Sequence, residues 1–198
     1  MFISLVFILI QLINSSYVIE REKIIENNKI QSSELSIKLI NTFNEEELIC
    51  ISYIGDLILL KDQLIMAKNK LTGKYEFDDM FKFTSDILKK SDLSIGIYEG
   101  TSVGNNTRYS TSNYGDGIPL ALNYPDEFAE SVKKAGIDLV TTANNHLLDK
   151  IIFGALRTID ILNKYNISHT GSYRNQEEKQ KLLIINIKGI KFAILSYT

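Results

Sequence analysis

Apolar residues in this chain come in short, dense runs separated by stretches in which they recur three or four positions apart. Three runs are rich in β-branched residues: "LICISYI" (48–54), "DLSIGIY" (92–98) and "IDLVTTA" (137–143). Each is the length of a strand buried on both faces. Between the first two, Phe77, Met80, Phe81, Thr84, Ile87 and Leu88 keep helical spacing. Between the second and third, Phe128 and Val132 lie in a segment opened by Pro125 and closed by Gly136, the expected start and stop of a helix. Leu156, Ile159 and Leu162 continue the helical pattern after the third run. Two further strands, "KLLIINI" (181–187) and "IKFAILSY" (190–197), flank Lys188-Gly189, a two-residue hairpin turn. Strands alternating with helices predict an α/β fold around a parallel or mixed sheet.

The first 47 residues follow another pattern. "FISLVFILIQLI" (2–13) is continuously apolar apart from one Gln, short for a membrane span and suited to the apolar part of a signal peptide. Residues 1–16 are therefore expected to be a signal peptide or membrane anchor; the alternative is a buried core segment. Residues 17–47 are polar and charged without Gly or Pro, and are expected to tether that anchor to a domain over 48–198. This predicts a protein at the cell membrane or outside it.

Composition narrows the function classes. With 198 residues and 44 % hydrophobic positions the chain can bury one substantial core. A net charge of -2, with aromatics scattered rather than interleaved with a basic stripe, gives no footprint for nucleic acid. The single cysteine, Cys50, lies in an apolar run and is expected to be a buried small residue.

The chemistry lies where the three runs end. Asp56 follows the first, Glu99 the second, and Asn144, Asn145 and His146 the third. In a parallel sheet the carboxyl ends of the strands share one edge, so these residues converge although they are far apart in sequence. Two carboxylates, an amide oxygen and an imidazole suit Mn, Fe, Zn or Mg. Taken singly, each has a plainer explanation: a turn, a solvated glutamate, a helix N-cap. Only their coincidence at three strand ends points to a site. His169 is read as a hydrogen-bonded strand histidine. The long polar loop 100–118 is either a lid carrying Arg108 over an anionic substrate or an ordinary surface loop.

In order and spacing, "ISYIGDLIL", "SDLSIGIYEG", "AGIDLVTTANNHLLD", "GALRTIDIL" and "ISHTGSYRN" resemble the CapA-type poly-γ-glutamate capsule biosynthesis family, itself similar to the calcineurin-like metallophosphoesterases. The resemblance implies an α/β/β/α sandwich with mixed sheets, of which this chain is expected to be an incomplete N-terminal part. By analogy, Asp56, Glu99 and Asn145 would face a divalent metal, His146 would handle the substrate as acid or electrostatic stabiliser, and Asn144 and Asp149 would support them. It implies a metal-dependent hydrolase of the bacterial cell envelope, acting on an anionic polymer or phosphoester beside other capsule biosynthesis proteins. The alternative is a non-catalytic accessory or polymer-binding protein, with this chain an inactive fragment. Three departures bear on this. Ile97 replaces an asparagine. Ile151 replaces a glycine, so that a glycine-dependent backbone is not expected to persist there. The family's downstream histidine motifs lie beyond residue 198, so the metal site is expected to be incomplete.

Overall fold

Local pattern and long-range pairing agree over most of the chain. The computed structural model describes residues 5–11, in their backbone, and 48–198. The expected tether over 17–47 lies outside the described residues. Strand β2 (Ile51–Leu57) pairs in parallel with β3 (Leu93–Tyr98), β3 with β4 (Leu139–Thr141), and β4 with β5 (Ser168–Thr170), giving one four-stranded sheet. A second, antiparallel sheet has the order β1 (Leu5–Gln11), β7 (Ile190–Tyr197), β6 (Leu183–Ile187). Part of the apolar N-terminal run is thus a strand alongside β7. The β6–β7 turn has φ of 50° at Lys188 and 85° at Gly189, the positive values that a tight two-residue hairpin needs.

The two sheets pack face to face through Leu93, Ile95 and Leu139 on one side and Ile187, Phe192 and Ile194 on the other. The opposite face of the parallel sheet, with Tyr98 and Val140, is covered by helices α2 (Ser85–Lys90), α3 (Asp126–Lys134) and α4 (Ile151–Lys164), which supply Leu88, Phe128, Val132, Ile161 and Leu162. Helix α1 (Lys61–Ala67) adds Leu64, and a short α5 (Gln176–Gln180) precedes β6. These are the helix, sheet and sheet layers of the expected α/β architecture. Burial on both faces is why β3 reads as a continuous apolar run. Among the described residues no helix is long and apolar enough to cross a membrane.

Two expectations are corrected. The helix expected over 77–88 is a 3-10 turn (Asp78–Phe81) followed by α2: Phe77, Phe81 and Leu88 pack on the core, whereas Met80 and Ile87, which one continuous helix would also bury, face solvent, as does Phe83. Cys50 is exposed rather than buried, since it precedes β2, the edge strand of its sheet.

Ile151 supplies a third correction. It adopts φ 54°, so the left-handed conformation that glycine favours is present here in a β-branched residue. The side chain is exposed and recovers little of that cost by burial. Ile151→Gly is therefore expected to stabilise the chain by about 1 kcal/mol despite the greater freedom of glycine in the unfolded state. Urea denaturation of the two proteins checks this; an unchanged or lower midpoint in the variant would count against strain at this position.

Candidate functional site

Each strand end delivers its polar residue by a different local device. In β2 the register with β3 shifts between Tyr53 and Asp56, and this bulge re-aims Asp56, which still pairs with Ile97 one residue before the strand ends. Glu99 follows β3 directly, and its carbonyl accepts a hydrogen bond from the buried Tyr124 hydroxyl. After β4, Asn144 is buried and ties two strand ends together. Its Nδ2 donates to the Tyr98 carbonyl at 2.9 Å and the Thr142 carbonyl at 3.2 Å, while its Oδ1 accepts from the His146 N–H at 3.0 Å.

That turn aims the imidazole. His146 Nδ1 lies 2.7 Å from Asp149 Oδ2, and the same oxygen accepts the Leu122 N–H at 2.6 Å. An ionised carboxylate can only accept, so Nδ1 donates and Nε2 is left as the working nitrogen. Nε2 stands 3.8 Å from Glu99 Oε1. Glu99 is buried and shares a hydrogen bond with Asp56. Burial, that hydrogen bond and the repulsion of Asp56 push its carboxyl up to about 7; His146 works against the shift and Asp149 adds to it. Glu99 therefore keeps its proton to higher pH than an ordinary carboxyl, because the Asp56 charge beside it disfavours a second negative charge.

The structure brings Asp56, Glu99, His146 and Asp149 together, and Asn144 braces the turn that carries His146. Asn145 is exposed at the same strand end. His169 is apart from this cluster, on β5, with Nε2 3.3 Å from Asn163 Oδ1; burial and then Arg174 lower its pKa. Arg108 lines a separate groove with Lys61, Leu64 and Tyr75. What loop 100–118 brings to the carboxylates is Tyr114. Partial burial, then the charges of Glu99 and Asp56, raise its phenol pKa. The loop is held by Ser112 and Asn113, which accept the N–H groups of Lys61 and Asp62 at 3.2 Å each. Neither Tyr114 nor the Tyr124 and Leu122 contacts left a mark in the local pattern.

The donor set has the chemistry of a cation site but is short of ligands. Among the described residues, no group of three or more His, Cys, Asp or Glu side chains is arranged to hold a metal ion. Asp149 and His146 are committed to each other, which leaves Asp56 and Glu99, with the Asn145 amide, as the available oxygens. Ile97 lies between Asp56 and Thr141 in the sheet register, and the buried Thr141 hydroxyl has no hydrogen-bond partner among the described residues. An asparagine in place of Ile97 would offer one.

The sequence matches the family model described as bacterial capsule synthesis protein PGA_cap over residues 50–198. It is 23 % identical over 155 residues to the capsule biosynthesis protein CapA of Bacillus anthracis, covering 78 % of this chain and 36 % of that protein. It is 22 % identical over 160 residues to the PGA biosynthesis protein CapA of Bacillus subtilis (strain 168), covering 80 % of this chain and 39 % of that one. The chain thus spans under two fifths of the length of these relatives. With the match running from residue 50 to residue 198, across both sheets and every strand end that builds the site, the chain belongs to the bacterial capsule synthesis protein family PGA_cap.

Proposed function

We propose that the chain provides part of a metal-dependent hydrolase site for an anionic polymer or phosphoester, in an exported protein of capsule biosynthesis. The observation that carries this reading is the hydrogen-bonded Asp56–Glu99 carboxyl pair, with the Asp149-oriented His146 Nε2 3.8 Å from Glu99 Oε1. Asp56, Glu99 and Asn145 would hold a divalent cation (Mn, Fe, Zn or Mg), which when bound supplies Lewis acidity and a lowered pKa for bound water. Asp149 takes the Nδ1–H and fixes the ring, Asn144 fixes the turn that carries both, and His146 would give the leaving oxygen a proton from Nε2 when the ring is an imidazolium, both nitrogens then carrying hydrogen. The apolar run over 2–13 supports export, and other capsule biosynthesis proteins are the natural partners.

Calorimetric titration of Mn or Zn into the chain tests the assignment. Binding is expected to weaken at least about tenfold in Asp56→Ala and to survive in His146→Ala, which instead lowers turnover of a phosphodiester by roughly 10²–10⁴. Equal affinity in the wild type and Asp56→Ala would remove the carboxylates from the site. A second reading, a non-catalytic polymer-binding accessory, is favoured by the small number of metal-binding side chains that converge. It predicts retention of poly-γ-glutamate with no metal-dependent turnover.

A further inference from the structure

The most exposed large apolar side chains of the described residues include Leu71, at 98 %, and Met66 and Ile65 close by in sequence, at 85 % and 62 %. Leu71 stands at the tip of a small hairpin that follows α1. Lys68 and Tyr75 bridge its base, and the Asn69 N–H donates to the Lys74 carbonyl at 2.8 Å. Asn69 Oδ1 accepts from the N–H groups of Leu71 and Thr72 at 3.0 and 3.1 Å, and Gly73 completes the turn at φ 72°. The tip is therefore already ordered, and little conformational freedom remains to be lost when something covers it.

Charge says what would cover it. Over residues 61–76 there are four lysines, Lys61, Lys68, Lys70 and Lys74, against two acids, Asp62 and Glu76, the latter accepting from Asn69 Nδ2 at 3.0 Å, in a chain whose net charge is -2. Beside α1 runs a groove of about 410 Å³ whose lining holds Lys61, Lys68 and Arg108 and no carboxylate. Another very exposed apolar side chain, Phe83 at 88 %, has Lys82 beside it but stands in sequence among Asp78, Asp79 and Asp86. Among the described residues, the 61–75 segment joins bare apolar side chains to four lysines, whereas the other exposed apolar group, Leu148, Ile151, Ile152 and Phe153, has the single neighbouring lysine Lys150. An anionic polymer would use the cations and leave Leu71, Met66 and Ile65 in water; an anionic lipid surface uses both.

We propose that hairpin 68–75 and the adjoining end of α1 seat on an anionic membrane surface, with Leu71, Met66 and Ile65 entering the headgroup–acyl boundary and Lys61, Lys68 and Arg108 contacting lipid phosphates. Seven residues of α1 separate the hairpin from the loop carrying Tyr114, about 10 Å along the helix axis. The membrane would thus meet the protein close to the carboxylate site without needing the N-terminal run.

The chain contains no tryptophan, so Leu71→Trp in the full chain gives a single local reporter at a fully exposed position. With vesicles containing phosphatidylglycerol, its emission is expected to shift to shorter wavelength and to be quenched by lipids labelled along the acyl chain. With pure phosphatidylcholine, or in the Lys61→Glu/Lys68→Glu/Arg108→Glu background, the fraction bound is expected to fall at least about tenfold at equal lipid, since each of these cations adds to the attraction. Vesicle binding with water-like emission would assign membrane contact to residues 2–13 and overturn the proposal. A shift produced by soluble poly-γ-glutamate but not by vesicles would overturn it in favour of a polymer groove. No response to either would overturn it outright.

Discussion

Gly100→Ala is expected to destabilise the chain by about 3 kcal/mol, lowering its melting temperature by roughly 10 °C. Gly100 has φ +135°, a backbone region open in practice to glycine alone. A Cβ there would lie 2.6 Å from the Tyr124 hydroxyl oxygen and 2.9 Å from Leu122 Cβ. Both neighbours are fully buried, and Tyr124 packs against Tyr98 and Phe128, so neither has room to retreat. The same clash reaches the site, because Tyr124 holds the Glu99 carbonyl and the Leu122 N–H holds Asp149. Gly117→Ala is the control: φ is 71° there, but nothing lies within 4 Å of the added carbon, so only about 1 kcal/mol is at stake. Thermal melts of the two variants decide it. Similar losses would mean that close packing around Glu99 is not what requires glycine.

The metal-free chain is expected to lose stability as pH rises from about 4.5 to about 7, and Glu99→Gln is expected to abolish that loss. Glu99 titrates near 7 when folded against an ordinary 4.5, so between those values the folded chain keeps a proton that the unfolded chain has released. The folded state's advantage is full at low pH and is lost as the pH passes through 7. Shared with Asp56, the effect amounts to something on the order of 2 kcal/mol. Urea midpoints at pH 5 and pH 8 for wild type and variant measure it. A pH slope that persists undiminished in Glu99→Gln would place the responsible proton elsewhere.

The strand ends were legible because burial on both faces leaves a dense apolar run, and the first polar residue after it marks the sheet edge. Glu99 and the turn carrying His146 could be placed that way, whereas Asp56 lies inside β2, which runs on to Leu57. Their convergence needed only the rule that parallel strands end together. Contacts made by main-chain groups of a distant loop leave no such trace: nothing in "LNY" announces that Leu122 and Tyr124 will hold Asp149 and Glu99. Periodicity misled over 77–88, where aromatic residues spaced as in one helix serve two short turns, because spacing reports which positions are apolar and not which are covered. At 151 the expectation failed in the other direction. The resemblance marked a position where glycine is usual, but residue identity alone could not show that the surrounding turn imposes the conformation on isoleucine.

Leu5–Gln11 lies along β7 with seven residues in register, from Leu5 opposite Tyr197 to Gln11 opposite Lys191. A hydrophobic segment engaged by a bilayer or by export machinery cannot simultaneously lie in that register, so the two fates of the run are mutually exclusive. Choosing the membrane strips β7 of one neighbour and leaves a row of main-chain donors and acceptors open along its flank. Such a flank recruits whatever extended segment comes near. Where Leu5–Gln11 goes therefore decides whether β7 is the middle strand of its sheet or an open edge seeking a substitute.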